Sequence, residues 1–191
     1  DVYRCVRTSA DVSNMRWWLC AVGVVLALWA YQQHKPMPPL TLKNVLVCGA
    51  STGIGEHIAH RYAQEGARLV LVSRREAELQ RVADDCRALG AAEVHIAAVD
   101  LSTQEGCEEA IHIAISHLGQ LDTLILNHVI GYFKNLLDIP SEERYSLYEK
   151  MFRVNTFSYF HLAMTALPYL NQTNGRIGVV SSLAGRAGTP M

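Results

Sequence analysis

The stretch Val45-Leu46-Val47-Cys48-Gly49-Ala50-Ser51-Thr52-Gly53-Ile54-Gly55 sets the architecture of this chain. Four apolar residues read as a short buried strand, and the glycine-rich turn after them opens a helix. Glycines let the main chain bend sharply and come close to a diphosphate, while the free N–H groups at the helix start attract its negative charge. Such a turn is weak evidence by itself. Its position between a strand and a helix, at the head of a βαβ unit, gives it weight.

Working outward, further apolar runs stand at 69–72, 94–99, 123–126 and 177–180. They are short, rich in Val, Ile and Leu, and continuous rather than alternating, as parallel strands covered on both faces should be. Helical spacings separate them. Ile54, Ile58 and Tyr62 form one stripe; Leu79, Val82, Ala83 and Cys86 a second; Cys107, Ala110, Ile111, Ala114 and Leu118 a third. Five strands and four crossovers predict an α/β fold, a Rossmann-type doubly wound parallel sheet with helices on both faces.

The ends of the strands carry the next information. A site for NAD places a carboxylate after the second strand to bind the ribose 2'-hydroxyl, but here Ser73 is followed by Arg74 and Arg75. Guanidinium groups pair with a 2'-phosphate, so NADP(H) is the expected cofactor, unless the two arginines form only a solvated helix start. Asp100, at the end of the third strand, is positioned to bind the adenine amino group or to cap the next helix, a task open also to Ser102 and Thr103.

Composition narrows the partners. A net charge of -1 with scattered Lys and Arg gives no basic stripe, so no nucleic-acid partner is expected. The five cysteines, Cys5, Cys20, Cys48, Cys86 and Cys107, are widely spaced without a C-x-x-C pair, so neither a disulfide framework nor a metal site is indicated. Cys48 reads as a small buried hydrophobe.

Residues 17–31 carry no charge and are bracketed by Trp17, Trp18, Trp29 and Tyr31. As a helix the run reaches ~22 Å, short of a ~30 Å hydrocarbon core. A signal-anchor fits it better than a cleaved signal peptide, because the residues at its end make a poor cleavage site, and better than a buried core helix. The expected organisation is an upstream or artefactual segment at 1–14, a signal-anchor or transmembrane helix at 15–33, a linker at 34–41 and a nucleotide-binding domain at 42–191. Met15, just ahead of Arg16, is the expected start.

Together the Gly-Ala-Ser-Thr-Gly-Ile-Gly turn, the Asp100-Leu101 pair, Leu126-Asn127-His128, Asn155 in Arg-Val-Asn-Thr-Phe and the 179–185 stretch Val-Val-Ser-Ser-Leu-Ala-Gly resemble the short-chain dehydrogenase/reductase family. Leu-Asn-His, the Ser-Ser-Leu-Ala-Gly-Arg stretch and the apolar N-terminus narrow the resemblance to its 11-beta-hydroxysteroid dehydrogenase type 1 group. The resemblance implies that Gly49, Ser51, Thr52, Gly53, Ile54 and Gly55 hold the phosphates and that Arg74 reads the 2'-phosphate. It implies that Asp100 and Leu101 contact the adenine, and that Asn127 and His128 flank the cofactor ribose. Ser182 is implied as the serine that polarises the substrate oxygen, and Asn155 as the residue that holds a water in the proton relay. Thr52 is a departure, because NADP-preferring relatives often place a basic residue there.

The family's Tyr-x-x-x-Lys pair falls a dozen or so residues after the serine, and the nine residues that follow Ser182 contain neither member. The expectation is therefore a domain truncated after its fifth strand, a fragment with negligible turnover. Its longer parent would be an NADP(H)-dependent oxidoreductase acting between hydroxyl and carbonyl groups of a hydrophobic substrate such as a steroid. By the same resemblance the parent would be a homodimer in the endoplasmic reticulum membrane with the domain in the lumen, a side to which the sequon Asn171-Gln172-Thr173 conforms. The alternative is a non-catalytic dinucleotide-binding module.

Overall fold

β1 (Asn44–Cys48) is buried along its whole length and lies at the centre of a five-stranded parallel sheet of order β3-β2-β1-β4-β5. The other strands are β2 (Arg68–Ser73), β3 (Glu93–Ala98), β4 (Thr123–Leu126) and β5 (Arg176–Val179). Val45 registers with Leu69 on one side and with Thr123 on the other. The computed structural model describes Val22 and residues 43–132 and 138–182. The chain divides into two units, Asp1–Pro39 and Leu40–Met191, and all described residues except Val22 belong to the second.

Strand alternation sorts the core into two layers. Leu46, Cys48, Val70 and Val72 face α3 (Gln104–Leu118) and α5 (Ser158–Gln172). Val45, Val47, Leu69 and Leu71 face α1 (Gly53–Gln64) and α2 (Glu76–Ala88). Both faces of the sheet are therefore covered, which is why the strands read as continuous apolar runs. Cutting Leu46, fully buried at the centre, back to Ala would cost about 2–5 kcal/mol.

The stripes expected on α2 and α3 are the ones buried. On α1 the expectation needs correcting: Gly55, Ala59 and Ala63 are the buried residues, while Ile58 and Tyr62 pack half-buried at the flank and Ile54 is 61% exposed. Small residues seat this helix close against the sheet, and the larger apolar side chains are displaced to the edge of the contact. Two strand limits also shift by a residue or so. Val99 and Val180 fall just past β3 and β5, although the Val180 N–H still donates to Leu126 O at 2.9 Å.

Sheet order reverses between β1 and β4, since the chain runs outward through β2 and β3 on one side and through β5 on the other. The crevice this leaves at the carboxyl ends of β1 and β4 is where open α/β sheets bind ligands. Its far wall comes from the long β4–β5 connection. There α4 (Ser141–Phe152) buries no residue and passes through a π-helical turn, Arg153–Phe157, into α5. Single π turns in α-helices redirect side chains, often at functional sites. Among the described residues no helix is long and apolar enough to cross a membrane, and the apolar run at 17–31 lies outside them, Val22 aside.

Candidate functional site

The turn after β1 is built from main chain. The N–H groups of Gly49 and Ala50 both donate to Val72 O, at 2.8 and 3.2 Å, which ties the turn to the end of β2. Gly53 has a φ of +63°, and a Cβ placed on it would meet nothing within 4 Å, so the position needs glycine for its backbone while open space lies above it. Gly55 needs glycine for the opposite reason: its Cβ would sit 2.1 Å from Gly49 O and 2.5 Å from Asn127 Nδ2. Thr52 occupies the N-cap of α1 in extended conformation without a side-chain cap, so the first N–H groups of the helix keep their capacity for an anion.

A cavity of about 270 Å³ opens over this turn. Of the residues expected at a cofactor, Gly49, Ser51, Thr52, Arg74, Asp100, Leu101, Asn127 and His128 line it. Gly53, Ile54 and Gly55 do not: the first two are exposed at the start of α1, and Gly55 is buried behind the turn. Asn127 ties the end of β4 to β1 and its turn: its N–H donates to Cys48 O at 3.2 Å and its Nδ2 to Gly49 O at 3.1 Å. Asp100 is exposed, and its Oδ1 accepts the Ser102 N–H at 3.0 Å. The cap of α3 is Thr103, whose hydroxyl accepts the Gly106 N–H at 3.0 Å, so Asp100 is not spent on that task.

The residues that follow β4 are held by side chains from the π turn and α5. Asn155 accepts the Ile130 N–H at 2.9 Å and donates to Ile130 O at 2.8 Å, engaging both polar atoms of its amide. Tyr159 donates its hydroxyl hydrogen to His128 O at 2.7 Å, and its ring lies 4.5 Å from the His128 ring. Burial pushes the Tyr159 phenol up to about 12.

Ser158 settles the state of His128. Its Oγ lies 2.6 Å from Val154 O, an acceptor only, so the single hydroxyl hydrogen goes there. The 2.7 Å contact between Ser158 Oγ and His128 Nε2 must then be bridged by a hydrogen on the imidazole. His128 is accordingly the Nε2–H tautomer, with a lone pair on Nδ1 that is buried and has no partner among the described residues. Burial lowers its pKa from the ordinary 6.5 to about 4, which keeps the ring neutral.

Ser182 is exposed just beyond β5 and, like Asn155, is not part of the cavity wall, although Val154 and Ile130 beside Asn155 are. Residue-by-residue reading missed Val99, Ser102, Val129, Ile130 and Val154. The first four could have been found as residues one to four places past a strand end; Val154 comes from the β4–β5 connection, whose path no local pattern gives. Buried thiols at Cys48, Cys86 and Cys107 play no part, and burial pushes that of Cys86 up to about 12 and that of Cys107 up to about 11. Glu56, His60 and Asp85 cluster on α1 and α2, but the guanidinium of Arg81 already supplies their positive charge, at 2.9 Å from Glu56 and 3.1 Å from Asp85.

An uncapped helix start, an open φ-positive glycine, two exposed arginines and a carboxylate at the far rim suit an elongated anion with a polar ring at one end, as a dinucleotide is. Comparisons agree with that chemistry. The family model for short chain dehydrogenase matches residues 43–191. Hydroxysteroid 11-beta-dehydrogenase 1-like protein of Xenopus tropicalis is 44% identical over 171 residues, covering 87% of this chain and 58% of its own length. The proteins of that name from Gallus gallus and Homo sapiens are 39% and 37% identical, covering 90% of this chain and 59% and 54% of theirs. This chain thus spans less than two thirds of these relatives. Among solved structures, a 7 alpha-hydroxysteroid dehydrogenase complexed with NADH and 7-oxo glycochenodeoxycholic acid superposes with a TM-score of 0.71 at 27% identity, covering 79% of this chain and 58% of that one. L-Sorbose reductase from Gluconobacter frateurii, complexed with NADPH and L-sorbose, gives 0.68 at 27%, covering 75% and 54%.

Proposed function

The chain belongs to the short-chain dehydrogenase family, and from that premise we propose that it is the nucleotide-binding part of an NADP(H)-dependent oxidoreductase that interconverts hydroxyl and carbonyl groups on a hydrophobic substrate of steroid type. The observation that carries this reading is the cavity over the Gly49–Gly55 turn, with Arg74 and Arg75 at its rim where an NAD site would have a carboxylate. The names of the relatives supply the steroid, and the NADPH of L-sorbose reductase is a precedent for the phosphorylated cofactor.

When bound, a nicotinamide dinucleotide would give or take the hydride. The uncapped amides of α1 would hold its diphosphate, the guanidinium of Arg74, without a partner among the described residues, its 2'-phosphate, and the second carboxylate oxygen of Asp100 its adenine amino group. Asn127 and His128 would flank the ribose. Ser182 would polarise the substrate oxygen. Because both atoms of the Asn155 amide are engaged by Ile130, Asn155 would offer a water its main-chain carbonyl, in a turn whose π geometry disturbs the i to i−4 ladder.

Two further proposals concern its setting. The apolar run at 17–31 would anchor the protein in the endoplasmic reticulum membrane, with Asn171, exposed at the end of α5, on the lumenal side as a sequon asparagine. A stripe of exposed Phe157, Phe160, Met164 and Leu167, more than half exposed at helical spacing, supports a homodimer formed through α5. The main test is calorimetric titration of the full chain. NADPH binding more tightly than NADH is expected; no binding of either overturns the functional reading, and equal binding overturns the choice of NADP(H).

A further inference from the structure

Away from the cavity, the outer faces of α1 and α2 meet around a single arginine. Among the described residues, Glu56, Glu78 and Asp85 all draw on the guanidinium of Arg81. Its Nη1 lies 2.9 Å from Glu56 Oε1 and 3.1 Å from Asp85 Oδ2. One cation thus serves three carboxylates. His60 stands beside them with its Nε2 buried and without a hydrogen-bond partner among the described residues. Asp85 Oδ2 is 4.0 Å from that nitrogen, beyond hydrogen-bond reach. Arg81 therefore satisfies the oxygens and leaves the imidazole out.

Glu56 and His60 are one turn apart on α1, so they share a face of the helix, and Asp85 reaches them from α2. One donor atom from each of the three lies within 4.8 Å of the others. Ligands held tetrahedrally at ~2.1 Å from an ion stand ~3.4 Å apart, so side-chain rotations of about 1.4 Å at most close the set. An imidazole nitrogen with two carboxylates suits Zn²⁺ and its first-row neighbours, whereas Mg²⁺ and Ca²⁺ want oxygen ligands alone.

We propose that Glu56, His60 and Asp85 form a binding site for a divalent transition-metal ion of the Zn²⁺ type, with a fourth position open to water on the exposed side of Asp85. The ion takes the place of Arg81 Nη1 between the two carboxylates. Arg81 is half-exposed, so it swings outward and keeps Glu78, which is 3.5 Å from its Nε. The two charges of the ion then answer Glu56 and Asp85, and the guanidinium answers Glu78. Bound there, the ion staples α1, which opens at the glycine turn, to α2, which begins just after Arg75. It stabilises the folded chain increasingly as its concentration rises, because the unfolded chain holds no preformed site. Neither coenzyme nor substrate is needed for this.

The test strips the full chain with a chelator and titrates it with ZnCl₂ and CoCl₂ by calorimetry, absorption and thermal melting, with MgCl₂ as the comparison. Wild type, E56Q, H60Q, D85N and R81A are run side by side. Zn²⁺ should raise the melting temperature of the wild type where Mg²⁺ does not. Co²⁺ should give the visible bands of a nitrogen and oxygen site, without a thiolate charge-transfer band. Glu56→Gln, His60→Gln and Asp85→Asn should each weaken Zn²⁺ by at least about 10-fold, since even an outer-shell partner of a metal is worth that much. Arg81→Ala should tighten it, because the competing cation is gone. An ion held elsewhere on the chain would not respond in both directions. The proposal is overturned if the wild type binds no Zn²⁺ at about 1 mM ion. It is overturned equally if His60→Gln, with unchanged circular dichroism, keeps wild-type affinity, or if Arg81→Ala weakens binding. Should His60→Gln fail to fold, the half-exposed Asp85→Asn decides by the same rule.

Discussion

At the end of β1 the cavity is bounded by main chain, and at the end of β4 by residues that side chains hold in place. Around Gly49–Gly55 the distances that matter run between backbone atoms, and Gly55 leaves no room for a methyl group. Around Asn127–Ile130 the same job of fixing a strand end is shared by Asn155, Ser158 and Tyr159, each reaching across from the π turn and α5. The first wall is tight at Gly49 and Gly55, where an added Cβ would run into backbone. The second is rigid because hydrogen bonds are distributed over it, so it can be weakened in steps. That contrast orders the effects expected from changing either wall.

The largest should come from the first. Gly55→Ala puts a methyl carbon 2.1 Å from a backbone oxygen, which cannot rotate away as a side chain would, so α1 or the turn must move. A destabilisation of about 3 kcal/mol is expected, at the top of the usual range for overpacking, together with loss of measurable coenzyme binding. Urea denaturation with an unchanged m-value checks the first, and titration the second. A Gly55→Ala chain of wild-type stability would mean that the turn is not bounded as described.

Next comes the acid response of the second wall. His128 is neutral when folded because burial lowers its pKa from 6.5 to about 4. Above pH 6.5 both folded and unfolded chains carry a neutral ring there, and no stability depends on it. Between pH 6.5 and 4 the unfolded chain takes up a proton that the folded chain refuses, so stability falls as pH falls. Below about pH 4 both are protonated and the loss is complete, on the order of 3 kcal/mol. Thermal melts of the wild type and of His128→Asn should therefore converge or cross on going from pH 7 to pH 4, with the steeper fall in the wild type. Parallel curves would contradict a buried, neutral imidazole.

The two walls also differ in how far the residues announced them. Glycines at 49, 53 and 55 between an apolar run and a helix are a local pattern with one physical reading, and the strand-end positions of Arg74 and Asp100 follow once the sheet is recognised. Asn155, Ser158 and Tyr159 have no such pattern. They lie in a connection whose course is decided by packing against β4, and only the resemblance of Arg-Val-Asn-Thr-Phe to a family motif singled out Asn155. Ser158 and Tyr159 had no signal at all. On α1 the local rule misled: the stripe of large residues Ile54, Ile58 and Tyr62 is one position away from the stripe of small ones that faces the sheet. Close approach was the winning requirement there, and hydrophobic spacing alone cannot express it.

Asn155 offers the smallest of these effects and the sharpest test of the second wall. Its amide pairs with both polar atoms of Ile130, so Asn155→Ala removes two hydrogen bonds at once and leaves the Ile130 N–H and C=O to find water. About 2 kcal/mol is expected, one for each neutral bond, provided that water can enter the space left behind. Because His128 and Tyr159 stay linked on their own, the damage should be confined: exchange of the Ile130 amide should accelerate steeply, whereas amides of β1 and the Gly49–Gly55 turn keep their protection. Asn155→Asp is the companion variant, able to accept from the Ile130 N–H but not to donate to its carbonyl, and should recover part of the protection. If instead loss of Asn155 unfastens the turn after β1 to the same degree, the two walls form one cooperative unit and the division drawn between them is wrong.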